Sequence, residues 1–455
     1  MQQTEKLHKI FFIGIGGIGM SALAKYFKMN GVEVSGYDRS PSIVTEQLAD
    51  MGIKVSFEED TTLITDTTDM VIYTPAVPLS SSLIIACKQK GLPLKKRAEV
   101  LGMLTTDKYC VAVAGTHGKT TTSSLITHIL KHAGLNPMAF LGGISKNMNS
   151  NFLYGDNNIV VVEADEYDKS FLHLHPDIAV VTAMDADHLD IYGTHQNMIQ
   201  TYHEFMAQVR QQGCLIINEN IKKMTGAVSC TQLTYSLNEG GACMAENINI
   251  QNGAYHFDIR CPGDSIIKGL KLNIGGRHNI ENATAAVAVC RQMGVNEEII
   301  REALSTFDGV LRRFDVRIQS DKLVYIDDYA HHPQELETFI RSVREFYPGK
   351  TITGVFQPHL YSRTRDFADA FAQSLSLLDD VILLDIYPAR ELPIEGVTSA
   401  LLLQKISLQN KMLCRKEALP DELLKRDSDI YLTIGAGDID ALVAPVTRLL
   451  NNKIK

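Results

Sequence analysis

The feature that most constrains the fold is the segment VAVAGTHGKTTTSS, residues 111–124. An apolar strand runs into Gly115, and Lys119 and Thr120 open a stretch with the pattern of a helix. Such a strand–loop–helix directs backbone N–H groups, a helix N-terminus and a lysine towards one point, where they bind phosphate oxygens. The loop is abbreviated, because Val113 stands where the usual eight-residue pattern has its first glycine. The sequence still predicts a nucleotide site, with Lys119 on the β- and γ-phosphates and Thr120 on Mg²⁺.

A second glycine-rich turn lies near the N-terminus, in FFIGIGGIGMSALAKYF. Its glycines, Gly14, Gly16, Gly17 and Gly19, have the G-x-G-x-x-G spacing that lets a backbone approach a pyrophosphate at a helix N-terminus. Asp38 ends the following strand, about where a ribose-binding carboxylate is expected. Three interpretations stay open: a dinucleotide site, a site for another pyrophosphate ligand, and a tight turn that binds nothing.

Composition narrows the class of protein. The chain has 455 residues, 45% of them hydrophobic, which is enough for roughly three domains. A net charge of −9 argues against a nucleic-acid partner. The eight cysteines contain no C-x-x-C pair, so we expect free thiols, mostly in the core, rather than a zinc site or disulfides. No apolar run approaches the roughly 20 residues that span a bilayer, and we expect a soluble cytoplasmic protein.

Short apolar strands alternate with helical segments along most of the chain, which is typical of parallel α/β sheets. We predict a Rossmann-like domain over residues 1–106, a phosphate-loop ATPase-type domain over 107–314 and a second Rossmann-like domain over 315–455. Within the central domain, residues 214–274 change to short segments and turns, which predicts a small antiparallel sheet. We expect the first domain to fold independently when the chain ends near Lys108.

Two side chains follow buried strands of the central domain. Glu163 ends the strand in VVVEADEYD, and His188 follows the strand that leads into MDADHLD. If both strands flank the loop strand, both side chains face the γ-phosphate, where a carboxylate is a natural Mg²⁺ ligand and an imidazole a less common one. A single histidine there is more often a core residue, but the acidic neighbours and the strand-end position favour a ligand.

Further polar clusters are candidates for substrate contacts. His278, Asn279 and Asn282 stand at a helix start, where they could bind a purine or cap the helix. Arg312 and Arg313 could reach a transferring phosphate or be a solvated basic pair. Both alternatives stay open for each set. Two polar–aromatic clusters at neighbouring strand ends of the third domain indicate a substrate pocket; they are Asp327, Asp328, Tyr329, His331 and His332, and His359, Tyr361, Arg363 and Arg365.

Several motifs occur in one order over nearly the whole chain: GIGGIGMSALA, GTHGKTTT, EADEYDKSFL, DADHLD, GRHNIENATAA, RRF, DDYAHHP and QPHLYSRTRDF. Together they resemble the Mur ligases. The resemblance implies a cytoplasmic enzyme of peptidoglycan precursor synthesis that forms an amide bond at the expense of ATP. The forms HGKTTT and DDYAHHP favour the member that joins L-alanine to UDP-N-acetylmuramate over those that add D-glutamate or meso-diaminopimelate.

The resemblance also assigns the two loops and the residues around them. It implies that the first loop holds the UDP diphosphate and that the abbreviated second loop is the ATP loop. The implied UDP-sugar residues are Gly14, Gly16, Gly17, Gly19, Met20, Asp38, Thr74, Ala76, Val77 and Arg97. The implied ATP residues are Gly115, Thr116, His117, Gly118, Lys119, Thr120 and Thr121 on the phosphates, His278, Asn279 and Asn282 on adenine, Asp328 on ribose, and Arg313 on the γ-phosphate. Thr120, Glu163 and His188 would bind Mg²⁺, and Tyr329, His359 and Arg363 would face L-alanine.

Catalysis would then depend mainly on Lys119 and Arg313, with His331 or His359 as the base that deprotonates alanine. Two positions depart from the family pattern: Ala183, where relatives commonly have Asn, and Leu360, where some have a basic residue. The alternatives are the recycling ligase that attaches whole peptides to the same sugar nucleotide, a dinucleotide-dependent oxidoreductase, and a binding module without catalysis. We expect a monomer or a homodimer.

Overall fold

The structure, a computed structural model, describes residues 7–237, 239–251, 253–263, 265–389 and 391–454. Strands alternate with helices throughout and form three sheets, as the sequence predicts. Two compact units are present. The first takes in the described residues up to Asn249, His256–Leu272 and Ile280–Asp308; the second takes in Ile250–Tyr255, Asn273–Asn279 and the described residues from Gly309 onward. The domain boundaries near residues 106 and 314 stay predictions.

The N-terminal sheet is Rossmann-like. Its five strands are β1 (Lys9–Ile13), β2 (Glu33–Tyr37), β3 (Lys54–Ser56), β4 (Met70–Tyr73) and β5 (Leu94–Lys96). They are all parallel, in the order β3-β2-β1-β4-β5. The helices are α1 (Ile18–Met29), α2 (Ile43–Asp50), α3 (Ser82–Gln89) and α4 (Arg97–Thr105). Helix α1 buries Met20, Leu23 and Phe27, whose spacing places them on one face.

The central sheet has ten strands. They are β6 (Tyr109–Ala114), β7 (Met138–Ser145), β8 (Ser150–Leu153), β9 (Ile159–Glu163), β10 (Ile178–Val181), β11 (Cys214–Asn218), β12 (Thr231–Ser236), β13 (Cys243–Gln251), β14 (Ala254–Arg260) and β15 (Ile266–Leu272). Their order is β15-β14-β13-β12-β11-β10-β6-β9-β7-β8. The helices are α5 (Lys119–His132), α6 (Leu189–Tyr192), α7 (His195–Ala207), α8 (Arg277–Gln292) and α9 (Glu297–Ser305).

Part of residues 214–274 forms the antiparallel section of a mixed central sheet rather than a sheet of its own. Strands β11 and β12 continue the parallel sheet, and β12 pairs in parallel with the start of β13. Only residues 252 and 253 separate β13 from β14, and so short a connection joins antiparallel strands. The short segments and turns therefore extend the main sheet instead of closing a second one.

The C-terminal sheet has six strands. They are β16 (Asp315–Gln319), β17 (Val324–Asp328), β18 (Ile352–Phe356), β19 (Asp380–Leu383), β20 (Lys411–Leu413) and β21 (Ile430–Ile434), in the order β16-β17-β21-β18-β19-β20. The helices are α10 (Pro333–Phe346), α11 (Tyr361–Asp366), α12 (Ala368–Leu375), α13 (Ser399–Lys405), α14 (Leu419–Leu424) and α15 (Asp440–Ile454). Strand β16 is antiparallel to β17, and the other pairs are parallel. Because β21 lies between β17 and β18, the two polar–aromatic clusters do not follow neighbouring strands as predicted.

The N-terminal and central sheets share one hydrophobic core inside the first unit. A single buried cluster runs from Phe12 and Phe27 to Phe140 and Val162. The Tyr26 ring on α1 lies 6.1 Å from the Phe140 ring on β7, centroid to centroid. The N-terminal sheet and the central sheet therefore belong to one packed body. The face of α1 that carries Tyr26 lies against the central sheet.

All eight cysteines are free thiols, and all are buried except the half-buried Cys230, which agrees with the prediction of core residues. No helix in the described ranges combines the length and apolarity needed to cross a bilayer.

Candidate functional site

The second glycine-rich loop joins β6 to α5, the context that the sequence predicts. Gly115 and Gly118 have φ values of +130° and +79°, in the region that favours glycine. A Cβ atom on Gly115 would lie 2.0 Å from Thr182 Oγ1, and one on Gly118 would lie 2.4 Å from Asn282 Oδ1. Both glycines are therefore required by the backbone conformation and by the close approach of a neighbour.

The loop is fastened to the end of β10 by backbone and hydroxyl contacts. Thr116 N donates to Ala183 O at 3.1 Å, and the Thr116 hydroxyl accepts from Asp185 N at 3.2 Å. The Thr182 hydroxyl donates to His117 O. Since Ala183 holds the loop through its backbone oxygen, the departure from the family pattern at this position leaves that contact intact.

Lys119, the first residue of α5, points its ammonium group into the loop. Nζ donates to Gly115 O at 2.6 Å and to Glu166 Oε1 and Oε2 at 2.7 and 2.8 Å. Burial alone would lower the pKa of Lys119, but neighbouring carboxylates, Glu166 foremost, outweigh it and raise the pKa above its ordinary value. Sequence reasoning missed Glu166; the only signal was the density of acids in EADEYD.

Glu163 and Thr120 lie together at the loop. The Glu163 carboxylate ends β9, accepts from Gly142 N at 3.0 Å and accepts from the Thr120 hydroxyl. A Cβ on Gly142 would lie 2.2 Å from Glu163 Oε1, so the glycine leaves room for the carboxylate. Burial raises the pKa of Glu163, while the charge of Lys119 opposes that shift. One carboxylate and one hydroxyl in contact fit Mg²⁺, which takes few protein ligands and fills its other positions with water and phosphate.

His188 lies in the connection from β10 to α6, directly before the helix, and β9 and β10 both flank β6. Its backbone has φ +50°, and its Nε2 lies 3.7 Å from Asp187 Oδ2. Its ring meets the Tyr167 ring edge-on at 5.2 Å. The ring contact links His188 to Tyr167, which follows β9, and the role of His188 as a metal ligand stays a prediction.

The first glycine-rich loop joins β1 to α1. Gly14 N and Ile15 N donate to Tyr37 O at 2.8 and 3.0 Å, and Gly16 N donates to Asp38 Oδ2 at 2.7 Å. Gly14 has φ +83°. The structure thus brings Asp38 to the loop, with its carboxylate on a backbone N–H group.

The turn after β4 lies beside the first loop. A Cβ on Gly14 would lie 2.7 Å from Thr74 Cγ2 and 3.6 Å from Val77 Cγ2. Ala76 belongs to the same turn, and its backbone N lies 3.5 Å from the Thr74 hydroxyl oxygen. Met20, in the first turn of α1, is buried in the core.

Arg97 connects the first loop to the acidic segment of the central sheet. A Cβ on Gly19 would lie 2.4 Å from Arg97 Nη1, and Arg97 Nη2 lies 2.8 Å from Asp165 Oδ2. The next ion pair, between Lys96 and Asp168, measures 2.6 Å. Residues 163–168, which we call the acidic segment, therefore pair with Lys96 and Arg97 from the junction of β5 and α4 and with Lys119 from the second loop.

The residues predicted to contact adenine divide between the two compact units. In the first unit, Asn282 Oδ1 accepts from the Thr122 hydroxyl at 3.2 Å, so Asn282 lies at the second loop. In the second unit, Asn279 Nδ2 donates to Gly275 O at 2.6 Å, and the His278 ring lies against Gly276. Asn279 therefore binds the backbone at the start of α8. This contact agrees with a structural role at the helix start, one of the two alternatives that the sequence left open.

In the second unit, Arg312 and Arg313 stack on one tyrosine. Their guanidinium carbons lie 5.3 and 5.1 Å from the centre of the Tyr329 ring. Arg312 also pairs with the buried Asp327, Nε to Oδ2, at 3.2 Å. Arg312 therefore has a structural ion pair as well as the ring contact. Of these two kinds of contact, Arg313 makes the one with the Tyr329 ring.

Asp328, predicted to bind ribose, is buried among backbone donors. Oδ2 accepts from Phe314 N at 2.7 Å and Oδ1 accepts from Ala330 N at 2.8 Å. Burial raises the pKa of Asp328 to about 6, although the charge of Arg313 and both backbone N–H groups act against it. The carboxylate therefore joins the residue that precedes β16 to the turn that follows β17.

The alanine-facing residues predicted from the sequence do come together. Ring centroids of Tyr329 and His331 are 5.1 Å apart, and those of His331 and His359 are 6.0 Å apart. Arg363 Nη1 lies 3.4 Å from His359 Nδ1, and the His359 ring stacks on Tyr387. Burial lowers the pKa of His331, which favours the neutral imidazole that a base requires.

Leu360 has a left-handed backbone, with φ +72°. A bulky residue rarely adopts this conformation, and two hydrogen bonds hold it: Leu360 N donates to Tyr387 O at 2.9 Å, and Leu360 O accepts from the Thr364 hydroxyl at 2.8 Å. This second departure from the family pattern thus falls at a strained turn that begins α11.

Three family models match the chain in succession: "Mur ligase family, catalytic domain" over residues 9–109, "Mur ligase middle domain" over 113–290 and "Mur ligase, glutamate ligase domain" over 312–437. The chain belongs to the Mur ligase family.

Individual relatives narrow the comparison. The chain is 48% identical to the UDP-N-acetylmuramate--L-alanine ligase of Flavobacterium johnsoniae, over 99% of both chains. It is 47% identical to the ligase of the same name from Porphyromonas gingivalis, over 98% of this chain and 99% of the relative. Among solved structures, the UDP-N-acetylmuramate-alanine ligase of Thermotoga maritima matches with TM-score 0.84 and 27% identity, covering 98% of this chain and 99% of that one. A murein peptide ligase from Psychrobacter arcticus, 21% identical with TM-score 0.72 over 98% and 99% of the two chains, shares the fold.

Proposed function

We propose that this chain is an ATP-dependent ligase that joins L-alanine to the lactyl carboxylate of UDP-N-acetylmuramate, giving ADP and phosphate, in peptidoglycan precursor synthesis. The observation that carries the proposal is the 48% identity, over 99% of both chains, to the UDP-N-acetylmuramate--L-alanine ligase of Flavobacterium johnsoniae. The geometry of the two loops supports the assignment of a substrate to each.

ATP is assigned to the second loop. The turn from β6 into α5 presents backbone N–H groups and the first turn of a helix, and Lys119 reaches the same point. Thr116, His117, Gly118 and Thr121 complete the phosphate loop in this proposal. Asn282, beside Gly118, would contact adenine together with His278 and Asn279, with Asp328 on the ribose.

Mg²⁺ would be held by Thr120 and Glu163, with His188 as a further ligand. The ion, when bound, would neutralise charge that develops on the transferring phosphoryl group. Gly142 N and the Thr120 hydroxyl orient the Glu163 carboxylate, so this chain supplies a fixed anion there.

The UDP-sugar is assigned to the first loop. Gly14, Gly16 and Gly17 precede α1, and Gly19 and Met20 lie in its first turn. The N-terminus of this helix suits a diphosphate. Thr74, Ala76 and Val77 would line the other side of that loop, with Asp38 and Arg97 at its ends.

The reaction follows from these assignments. A lactyl oxygen forms a bond to the γ-phosphorus as the bond to ADP breaks, giving an acyl phosphate. The amine of L-alanine then attacks the acyl carbon, and phosphate leaves from the tetrahedral intermediate. Lys119 and Arg313 would stabilise charge on the transferring group, as phosphoryl transfer demands.

The amine must lose a proton before it attacks. His331 or His359 would accept that proton, and the lowered pKa of His331 favours the first. Tyr329, His359 and Arg363 would hold the amino acid, with the guanidinium of Arg363 suited to its carboxylate. A base of lowered pKa keeps its acceptor nitrogen free at neutral pH.

A phosphate-release assay tests the proposal. The full chain is supplied with ATP, MgCl₂, UDP-N-acetylmuramate and L-alanine, and each component is omitted in turn. We expect release only when all are present, with ADP and UDP-N-acetylmuramoyl-L-alanine identified by mass spectrometry. Turnover with a peptide in place of L-alanine, and none with L-alanine, would identify the recycling ligase instead.

A further inference from the structure

The ammonium group of Lys119 has no hydrogen left to give to a phosphate. Its three acceptors are Gly115 O at 2.6 Å and the two Glu166 oxygens at 2.7 and 2.8 Å, and an ammonium has three N–H bonds. The Glu166 side chain is 1% exposed and that of Lys119 is 15% exposed. The two charges therefore neutralise each other out of water, inside the loop assigned to ATP.

Glu166 is aimed by its own surroundings. The Tyr192 hydroxyl donates to Glu166 O at 2.5 Å, and Lys169 N donates to the same oxygen at 3.0 Å. One residue earlier, Asp165 pairs with Arg97 at 2.8 Å. The chain is thus fixed at Glu166 and at the residue before it. This fixes the position from which the Glu166 carboxylate contacts Lys119.

A phosphate oxygen that bonds to Lys119 must replace one of these acceptors. Gly115 O belongs to the loop backbone, whereas the Glu166 carboxylate is a side chain with the same charge sign as the incoming phosphate. Like charges at hydrogen-bond distance repel strongly in a site removed from water. The exchangeable partner is therefore Glu166.

We propose that Glu166 is a positioning residue that occupies the phosphate place on Lys119 when no nucleotide is bound and yields it to the nucleotide. It keeps a buried lysine charged and directed into the loop, and it competes with the β- and γ-phosphates. Nucleotide affinity then depends on the replacement of the Glu166 carboxylate by a phosphate on Lys119. This competition weakens ADP binding and so allows ADP to dissociate. This inference rests on the proposed function of the loop.

The test measures nucleotide binding to the full chain carrying Glu166→Gln. Glutamine keeps the size and one acceptor oxygen but removes the competing charge. Calorimetry with ADP and MgCl₂ should give tighter binding than the wild type, by about 5-fold or more, the lower end of typical coupling between two competing interactions. Without nucleotide, the thermal midpoint should fall, because Lys119 loses its charged partner; with nucleotide it should recover.

Asp168→Asn is the matched control. Asp168 belongs to the same segment and forms an ion pair at 2.6 Å, but with Lys96. The ADP affinity of the Asp168→Asn variant should stay within about twofold of wild type, because a half-exposed surface ion pair contributes little free energy. AMP, which lacks the β- and γ-phosphates, should gain less than ADP from Glu166→Gln.

If Glu166→Gln does not fold, Tyr192→Phe takes its place. It removes only the hydroxyl that fixes the Glu166 backbone, and a smaller tightening in the same direction is expected. Unchanged or weaker ADP binding in a folded variant overturns the inference, as does equal tightening for AMP. A wild-type chain that binds neither ADP nor a non-hydrolysable ATP analogue would instead contradict the proposed function itself.

Discussion

The effect of substituting a charged residue in this molecule depends on the partner of its charge. Lys119→Met removes the cation from the second loop, and we expect turnover to fall by about 10²- to 10³-fold, as when one preorganised charge-stabilising group is lost. The variant also leaves Glu166 buried without its cation, which should cost about 3–5 kcal/mol of stability. Urea unfolding and steady-state kinetics measure the two effects separately.

The double variant Lys119→Met/Glu166→Gln is the control for that prediction. It removes both charges, so stability should return most of the way while turnover stays low. If stability does not recover, the Lys119 side chain supports the fold by packing rather than by pairing with Glu166.

Asp328 gives a pH-dependent contribution whose sign follows from its raised pKa. Its pKa is about 6 in the folded chain and 3.8 as the ordinary value, so the folded state binds more protons between these pH values. The free energy of unfolding should therefore fall as pH rises from about 4 to 6, by up to about 3 kcal/mol at roughly 1.4 per pH unit.

Asp328→Asn should flatten this dependence, because the amide does not titrate. Its cost should be about 1 kcal/mol near pH 4.5, where the wild-type carboxyl is protonated, and should shrink as the pH rises towards 7. Urea midpoints at pH 4.5, 5.5 and 7 for both proteins measure the difference. Parallel curves would show that the Asp328 carboxyl titrates at its ordinary pKa.

The sequence identifies residues whose role is local and misses those whose role depends on a distant partner. Gly115, Gly118 and Lys119 could be predicted because a phosphate loop fixes its own residue types over a few positions. Glu166 could not, because its contact with Lys119 joins two strand ends that only the sheet order brings together. The backbone role of Asp328 was hidden for the same reason, since Phe314 lies on another strand connection.

At the scale of elements, helix α1 is held by a buried polar contact from the central sheet. Asn151 on β8 donates to Ile18 O at 2.5 Å and to the Ser21 hydroxyl at 2.9 Å, and it accepts from Lys25 Nζ at 2.8 Å. Burial lowers the pKa of Lys25 to about 8. The first turn of α1, which bears the proposed UDP site, therefore takes its position from β8.

We predict that Asn151→Leu weakens UDP-N-acetylmuramate binding by about tenfold, roughly 1.4 kcal/mol, and leaves ADP binding within about twofold. The reason is that the first loop loses its support while the second keeps its own. Calorimetry with each ligand measures the split, and Asn157→Ala, an exposed asparagine near the same sheet, serves as control. Equal losses for both ligands would mean that Asn151 supports the whole unit.

Element types followed from periodicity, whereas sheet membership did not. Strand β6 (Tyr109–Ala114) runs into Gly115 as predicted, because an apolar run that ends at a turn residue is a clear signal. Strands β11 and β12 carry the same local signal as strands of a small sheet, and their parallel partners are set by tertiary packing. The order β17-β21-β18 was equally hidden, because β21 comes from the end of the chain.

At the scale of the whole molecule, the first compact unit changes where the chain can be cut. The sequence predicts that a fragment ending near Lys108 folds, but Leu101 and Leu104 on α4 belong to a core that continues into the central sheet. A Cβ on Gly102 would lie 2.6 Å from His173 O, so α4 closely contacts the connection between β9 and β10 of that sheet. A cut at Lys108 exposes this face to water.

We therefore predict that residues 1–108 alone give no cooperative thermal transition and bind UDP-N-acetylmuramate about 100-fold more weakly than the full chain, a loss of about 2.7 kcal/mol. A fragment ending at Asp308 keeps the described residues of the first unit and both glycine-rich loops, so it should keep affinity within about threefold. It should form no amide bond, because Tyr329, His359 and Arg363 are gone. Circular dichroism and calorimetry on both fragments decide the matter. A short fragment that melts cooperatively and binds with full affinity would show that the N-terminal sheet folds independently, and that the shared core adds stability without being needed for the site.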